Sequence, residues 1–261
     1  MGRIIFCLLI LISCHHQDSI ISSSNIIGGE EVSSSNPISK STVLIGVKSY
    51  GNTFFPYCTG VLISSNLVLT AGHCLESRSD VSVWFDRKLP DPQYLLNPKY
   101  LIEISRHKNA ILTHVDQDLA LLKLSRNAPP NYIPVSILME STEIKKGTLI
   151  KVAGYGRSEL NMDGFNNLRA AEFRIKDIQD GLFYIDQKSD SGVCHGDSGG
   201  PAFFIKNNQL VLAGIIRGGD DEMDLETCKG TSVFTSIPFY KKFILDSVRE
   251  LEAEFPEFSG P

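Results

Sequence analysis

The chain has 261 residues and a formal net charge of −5; 42% of its residues are hydrophobic and 21% are charged. This length suffices for one large β-barrel domain or for two small halves packed together. The acidic balance and the lack of a long basic run argue against nucleic acid as a main partner.

The first residues are typical of an export signal. A short basic start, Met1-Gly2-Arg3, precedes an apolar stretch at 4–12. That stretch is too short to span a membrane as a helix of the mature protein, so we predict a signal peptide over residues 1–13. The serine-rich residues 14–25 have the composition of a flexible tether or pro-segment.

The signal peptide ends in Leu11-Ile12-Ser13-Cys14, which resembles the lipobox of bacterial lipoproteins. We therefore expect lipidation of Cys14 in preference to plain secretion. More than one acyl chain is needed for stable attachment to a membrane. The sequence has no Asn-x-Ser/Thr acceptor, which agrees with a bacterial source. The expected location is the bacterial cell envelope, or the periplasm or medium if Cys14 carries no lipid.

Short apolar runs separated by Asn, Gly, Pro and Ser recur from residue 42 onwards. This pattern predicts an all-β barrel architecture. The runs lie at 42–47, 61–63, 119–124, 149–153, 202–205 and 210–216. Asn207-Asn208 between the last two runs is typical of a hairpin turn. Apolar residues at helical spacing predict an amphipathic helix over about 238–252, and residues 253–261 are expected to form a loose tail.

His73 has the sequence context of a catalytic base. It lies in Leu69-Thr70-Ala71-Gly72-His73-Cys74, directly after an apolar run. A histidine beside a cysteine is also a potential metal ligand, but no second Cys/His pair stands at zinc spacing. We therefore predict no metal and no other cofactor. The other histidines belong to the leader, to a polar stretch or to the neighbourhood of a glycine turn: His15, His16, His107, His114 and His195.

Asp118 is the candidate partner of that histidine. It opens the apolar run Asp118-Leu119-Ala120-Leu121-Leu122. A carboxylate at the start of a buried strand is costly unless a group such as a histidine N–H pairs with it. Alternatively, Asp118 simply caps the strand at the surface. Asp116 competes for the role but lacks the adjoining apolar run.

The segment Cys194-His195-Gly196-Asp197-Ser198-Gly199-Gly200-Pro201 places a serine in a glycine-rich turn. Glycines let the backbone approach a substrate carbonyl closely. The N–H groups of Gly196 and Ser198 are then suited to bind a developing oxyanion. A serine hydroxyl is a poor nucleophile unless a base takes its proton, and His73 with Asp118 supplies one. By itself the segment also fits an ordinary polar turn.

The order His73, Asp118, Ser198 is the triad order associated with chymotrypsin. Over about Ile26 to Val248 the chain resembles the trypsin/chymotrypsin-type serine endopeptidases. The matching segments are Ile26-Ile27-Gly28-Gly29, Thr70-Ala71-Gly72-His73-Cys74, Asp118-Leu119-Ala120-Leu121-Leu122, Gly154-Tyr155-Gly156 and Gly196-Asp197-Ser198-Gly199-Gly200. The resemblance implies two six-stranded antiparallel β-barrels and a C-terminal helix in a protease domain of residues 26–252. The triad would lie between the barrels, and the second barrel would begin near Pro134.

The resemblance also implies the chemistry. Ser198 would be the nucleophile, His73 the general base and Asp118 its orienting carboxylate, with the Gly196 and Ser198 N–H groups as the oxyanion hole. Substrates would be proteins or peptides, and we expect a monomer. The family's pattern pairs Cys58 with Cys74 and Cys194 with Cys228, which fits an oxidising compartment.

Cleavage before Ile26 is implied as well. In the family, the freed α-ammonium pairs with the aspartate that precedes the nucleophile, here Asp197. The residue before the cut is Asn25 rather than Arg or Lys, so no trypsin-like activator is implied, and an activating protease or self-processing is needed. Because the same cut would remove Cys14, we hypothesise that activation and release are one event.

The residues at the expected specificity pocket carry no acid. Gly192 stands at the base of the pocket in the family's pattern, beside Val193, while Gly218, Gly219 and Ser232 form its walls. A preference for Arg or Lys would need a carboxylate there, and Asp190 would reach it only through a shift of the loop. We therefore predict a preference for small or uncharged residues before the scissile bond.

Arg217 stands where the family usually has a small residue near the triad aspartate. Three arrangements are open. Arg217 pairs with Asp118, or it turns outward to Asp220, Asp221 or Glu222, or it forms a site for acidic side chains. The outward arrangement is favoured because an unpaired buried guanidinium is expensive.

Two other functions stay open. One is a catalytically silent binding module on a protease fold, which only Arg217 and Gly218 favour. The other is an export-compartment quality-control protease that needs no proteolytic activation. The intact triad with Asp197 argues against the first, and Ile26-Ile27-Gly28-Gly29 with the paired cysteines argues against the second.

Overall fold

Antiparallel strands are the main secondary structure of the described residues. The computed structural model describes residues 26–27, 29–49, 53–76, 80–89, 99–105, 109–112, 117–158, 165, 167–187, 191–224 and 226–259. The predictions for the signal peptide, Cys14 and the tether concern residues outside these ranges. The same holds for Gly28, His107, His114, Asp116 and Asp190.

The strands are β1 (Glu30–Glu31), β2 (Thr42–Ser49), β3 (Thr53–Ser64), β4 (Leu67–Thr70), β5 (Asp80–Trp84), β6 (Leu101–Ser105), β7 (Ala110–Leu112), β8 (Ala120–Lys123), β9 (Ser136–Leu138), β10 (Leu149–Gly154), β11 (Arg169–Gln179), β12 (Leu182–Asp186), β13 (Pro201–Lys206), β14 (Gln209–Gly219), β15 (Thr231–Ser236) and β16 (Phe258–Ser259). Within the described ranges the α-helices are α1 (Ile38–Ser41) and α2 (Lys241–Glu250), and 3₁₀ turns cover Gly72–Cys74 and Ser141–Glu143.

The first sheet has the strand order β6-β5-β2-β3-β4-β8-β7. Its strand β4 is buried along its whole length and pairs antiparallel with β8, so that Thr70 lies opposite Ala120. The chain leaving β4 and the chain entering β8 therefore meet at one end of the sheet. This register positions the segments of His73 and Asp118 beside each other.

The second sheet closes on itself. Strands β13-β10-β11-β12-β15-β14 follow one another, and β14 pairs back to β13, which completes a six-stranded barrel. The parallel strands β9 and β16 extend it beside β14, and β1 pairs with β11. The predicted all-β class with two barrel units is confirmed, with one difference. Among the described residues the first unit is a half-barrel sheet of seven strands whose edges do not pair.

The hairpin between β13 and β14 confirms the prediction made from Asn207-Asn208. Both asparagines have positive φ, 49° and 62°, and the flanking residues Lys206 and Gln209 pair with each other. Two successive residues at positive φ give a turn whose twist matches that of the strands, and asparagine tolerates this conformation.

The C-terminal helix α2 lies within the predicted range and is shorter at both ends. Ile244, Ser247 and Val248 are buried on its inner face. After the helix, Phe258 and Ser259 pair in parallel with β9, where a loose tail is predicted from the composition. Among the described residues, no helix is long and apolar enough to cross a membrane.

Phe183 on β12 anchors the core of the closed barrel. Its ring stacks on that of Phe234, with centroids 5.0 Å apart, and neither side chain is exposed. We expect Phe183→Ala to lower the free energy of unfolding by about 3–5 kcal/mol, because it removes buried apolar surface and leaves a cavity. Urea unfolding measures this loss. Phe55→Ala, at a ring that is 53% exposed, is the control and should cost less than about 1 kcal/mol. Equal losses in both variants would contradict the assignment of Phe183 to the core.

Candidate active site

His73 and Asp118 form an ion-pair geometry at the end of the first sheet. The Nδ1 atom of His73 lies 2.9 Å from Oδ2 and 3.1 Å from Oδ1 of Asp118. The backbone N–H of His73 also donates to Oδ1 at 2.8 Å. The carboxylate is buried, whereas the histidine side chain is 43% exposed. The Asp118 carboxylate therefore holds His73 at two points, the backbone N–H and the ring Nδ1. The Nε2 edge of the ring faces outward.

Ser198 lies in a tight turn between Cys194 and β13. Gly196 and Gly199 adopt φ values of 97° and 80°, which favour glycine over other residues. The turn is closed by the N–H groups of Asp197 and Gly200, which donate to the carbonyls of Cys194 and Asp197. These bonds leave the serine half-buried at the surface of the second barrel.

A cleft of about 370 Å³ between the two sheets joins these groups. His73, His195, Gly196 and Ser198 all line it, together with the aromatic residues Tyr57 and Phe165. The Sγ atom of Cys74 lies 3.8 Å from both the His73 Nε2 atom and the Ser198 carbonyl oxygen. The structure thus brings His73, Asp118 and Ser198 to one site.

Two backbone N–H groups beside Ser198 are suited to an anion. Among the described residues, neither the N–H of Gly196 nor that of Ser198 donates to a protein acceptor. Backbone donors that are held in place and aimed at developing negative charge stabilise it strongly. The turn therefore carries both the hydroxyl and a candidate oxyanion hole.

Asp197 is a fully buried carboxylate beneath that turn. It accepts hydrogen bonds from the N–H groups of Gly156 at 2.8 Å and Cys194 at 2.9 Å. Desolvation is the largest effect on it and raises the pKa of Asp197 to about 7, although the two N–H donors oppose the rise. A carboxylate in this position needs a cation to hold its charge.

The segment that starts at Ile26 packs into the same barrel. Ile26 is 1% exposed and has a φ of 37°, a conformation that is strained for a β-branched residue. Ile27 forms a β-bridge with Gly192, whose N–H donates to the Ile27 carbonyl at 2.7 Å. The predicted activation segment therefore adjoins the predicted base of the pocket.

Both cystines that the resemblance implies are present. Cys58 bonds to Cys74 and Cys194 to Cys228. Cys58, His73 and Cys74 have ligand atoms close enough together for a metal. The two sulfurs are bonded to each other, however, and a metal needs thiolates. This cluster is therefore a poor metal site.

A small cavity of about 60 Å³ lies beside Ser198, where the specificity pocket is expected. Of the predicted pocket residues, Val193, Gly218 and Gly219 line it, while Gly192, Arg217 and Ser232 do not. Ile216 and Met223 also line the cavity, and the sequence did not indicate either residue. Gly192 and Ser232 lie behind the wall, where both adjoin the buried side chain of Gln187.

Arg217 does not pair with Asp118. Among the described residues, the Asp118 carboxylate makes hydrogen bonds to His73 alone, and Arg217 is half-buried on β14 at an irregularity of the register. The arrangement in which a guanidinium competes with the histidine is therefore absent.

Comparison with known proteins agrees with this geometry. The family model described as Trypsin matches residues 26–244. The chain belongs to the trypsin family of serine proteases. It is similar to chymotrypsin-like elastase family member 1 of Bos taurus, with 24% identity over 94% of this chain and 97% of the relative. It is also similar to granzyme-like protein 2 of Rattus norvegicus (27% identity, covering 87% and 94%) and to chymase of Mus musculus (27%, covering 86% and 91%).

One residue that supports the site of this trypsin-family chain was missed in the sequence. Thr59 on β3 is fully buried, and its N–H donates to the Ser198 carbonyl at 2.8 Å. Its hydroxyl donates to the Gly196 carbonyl at 2.9 Å and accepts from the Tyr155 N–H at 3.1 Å. Its carbonyl accepts from the Thr70 hydroxyl. No motif marks Thr59, because its partners in the nucleophile turn lie 137 positions away or more.

Thr59→Val should destabilise the folded chain by about 2–4 kcal/mol, since the isosteric methyl leaves the Gly196 carbonyl and the Tyr155 N–H buried and unpaired. Thr59→Ser keeps the hydroxyl and should recover more than half of that loss. Urea unfolding of the three proteins gives the values. If valine and serine were equally stable at this position, the hydroxyl would not hold the turn.

Proposed function

We propose that this protein is a serine endopeptidase that acts through His73, Asp118 and Ser198. The observation that carries the proposal is a histidine ring held by a buried carboxylate in the same cleft as Ser198. Two N–H groups of that cleft have no acceptor among the described residues. Substrates are proteins or peptides, because the cleft lies open between the two sheets and the chemistry of the triad acts on a carbonyl.

The mechanism follows from these positions. The Ser198 Oγ attacks the carbonyl carbon of the peptide, and His73 takes the hydroxyl proton. Asp118 keeps the proton of the imidazole on Nδ1 and stabilises the imidazolium that forms. The N–H groups of Gly196 and Ser198 bind the oxyanion. His73 then gives its proton to the leaving amine, and water hydrolyses the acyl-enzyme by the same steps in reverse.

The chain is made as a precursor that is activated by cleavage before Ile26. Three observations support this part of the proposal: the burial of Ile26, its strained φ in the uncleaved chain, and the buried Asp197 carboxylate that lacks a cation among the described residues. A free α-ammonium at Ile26 would supply that cation. Since the cut also removes residues 1–25, activation releases the domain from a lipid on Cys14. Active protein that begins at Ile26 and stays membrane-bound would disprove the release.

Export is supported by the two cystines, which persist in oxidising compartments. Among the described residues, no acidic side chain lines the pocket beside Ser198, which supports an uncharged residue before the scissile bond. Efficient cleavage after Arg or Lys alone would contradict this preference.

The catalytic proposal is tested with the domain that begins at Ile26, with both cystines formed. A small alkyl fluorophosphonate should label it, Ser198→Ala should abolish labelling, and His73→Ala should slow it by about 100-fold or more. Ser125→Ala, at an exposed serine away from the cleft, is the matched control and should label like the parent. A folded parent domain that takes no label would instead favour the catalytically silent binding module.

The precursor should lose stability as the pH rises. Burial raises the pKa of Asp197 from 3.8 to about 7, so between these values the folded chain holds a proton that the unfolded chain releases. The stabilisation is complete below the unfolded pKa and falls by up to about 4 kcal/mol by neutral pH. Urea unfolding of the uncleaved Ser198→Ala protein across this range measures the loss.

The comparison protein is the Ser198→Ala domain that begins at Ile26. There the α-ammonium favours the charged carboxylate, so the loss with rising pH should be smaller by at least about half. Asp197→Asn in the uncleaved chain should also reduce the loss, because it removes the titrating group. The same pH dependence in the cleaved and uncleaved proteins would rule out the pairing of Ile26 with Asp197.

A further inference from the structure

The cavity beside Ser198 is small for a site that receives a side chain. Its volume of about 60 Å³ contrasts with about 370 Å³ for the adjoining cleft. A volume of this size holds a few water molecules, which corresponds to a side chain of only a few heavy atoms. What limits the cavity therefore decides which substrates the proposed protease accepts.

Gln187 fills the space behind the cavity. This residue follows β12, and its side chain is 1% exposed. Its Nε2 group donates to the carbonyls of Val193 at 2.9 Å and Cys228 at 2.5 Å. Val193 and Cys228 both line the cavity. One amide thus joins two segments of the cavity lining.

The amide has no capacity left for a substrate. Its Oε1 atom accepts from the Val193 N–H at 2.9 Å and from the Ser232 hydroxyl at 2.6 Å. A primary amide offers two donor hydrogens and two acceptor lone pairs, and all four are used. A longer substrate side chain would have to displace Gln187 and leave these buried groups without partners, which is unfavourable.

Gln187 also explains why glycine stands at position 192. A Cβ atom built on Gly192 would lie 2.7 Å from the Cδ and 2.8 Å from the Nε2 of Gln187, closer than carbon atoms pack. The side chain of Gln187 therefore occupies the place that a residue 192 side chain would take. A carboxylate at position 192 is excluded as long as Gln187 keeps this rotamer.

The mouth of the cavity is narrowed separately. The Met223 side chain packs directly against Gly219, and both residues line the cavity. Methionine is unbranched and adapts its shape, so this wall yields more readily than the hydrogen-bonded base.

We propose that Gln187 is a specificity-determining residue that closes the base of the pocket and restricts the residue before the scissile bond to Gly, Ala or Ser. The inference rests on the proposed endopeptidase function. Gln187 acts through the positions of Val193 and Cys228. Its role is therefore detected in the ratio of rates between substrates rather than in the overall rate.

The test uses the domain that begins at Ile26 and peptides that differ only in the residue before the scissile bond: Ala, Val, Met, Phe and Arg. We expect kcat/KM for Ala to exceed that for Met and Phe by about 100-fold. Gln187→Ala should raise the Met-to-Ala ratio by about 10-fold or more, because it opens the base. Gln187→Met fills the same space without hydrogen bonds, so it should also raise the Met-to-Ala ratio, but by less than Gln187→Ala does, because an unpaired methionine yields to a longer substrate side chain more readily than the bonded amide.

Met223→Ala is the matched control at the other wall. It widens the mouth and leaves the base closed, so it should improve cleavage after Val but not after Met. The fluorophosphonate reaction, which places no long side chain in the pocket, reports the catalytic machinery in each variant.

The outcomes separate the two proposals. A parent domain that reacts with the fluorophosphonate and cleaves after Phe or Arg as fast as after Ala overturns the role of Gln187 and leaves the protease function standing. Absence of the fluorophosphonate reaction in the folded parent overturns the function itself. If Gln187→Ala fails to fold, the substrate ratios of the parent and of Gln187→Met decide.

Discussion

The hydrogen bond from the Thr59 N–H to the Ser198 carbonyl joins the two halves of the site. The histidine and the aspartate belong to the first sheet, whereas the serine belongs to the turn before β13 in the second. No local interaction along the chain can fix the distance between them. Thr59, through its backbone and its hydroxyl, ties the first sheet to both sides of the nucleophile turn. The geometry of the site therefore depends on packing between the sheets.

A second constraint is electrostatic. Asp197 lies under the same turn with two N–H donors and no exposure to solvent. Burial of an uncompensated carboxylate is unfavourable, and its raised pKa expresses this. The proposed pairing with a new α-ammonium at Ile26 would turn that unfavourable burial into a stabilising interaction. It would link cleavage before Ile26 to the order of the oxyanion hole and of Gly192, which bridges to Ile27.

Gln187 shows how a pocket is shaped from behind its wall. It touches neither the cleft nor Ser198, yet its four hydrogen bonds hold the segments that face the substrate. Such a fully paired buried amide is rigid, because every alternative rotamer leaves polar groups unpaired. Narrow specificity would then follow from hydrogen bonding rather than from bulky side chains at the cavity surface. Arg217 and Gly218, which are unusual for the family, leave the histidine–aspartate pair intact.

Three features could be predicted from the sequence: the all-β class, the turn at Asn207-Asn208 and the candidate triad. Each depends on a local pattern, which is respectively a series of short apolar runs, two adjacent asparagines and a motif around one reactive residue. The open edges of the first sheet, the docking of Phe258 and Ser259 on β9 and the supporting residues could not. Thr59 and Gln187 lie in unremarkable segments, and their partners stand 137 and 45 positions away. The amino-acid sequence by itself determined which groups are the candidates for the proposed chemistry. Only the tertiary structure decided what holds them and how the cavity beside Ser198 is closed, because hydrogen bonds between distant segments exist only once the two sheets have packed together.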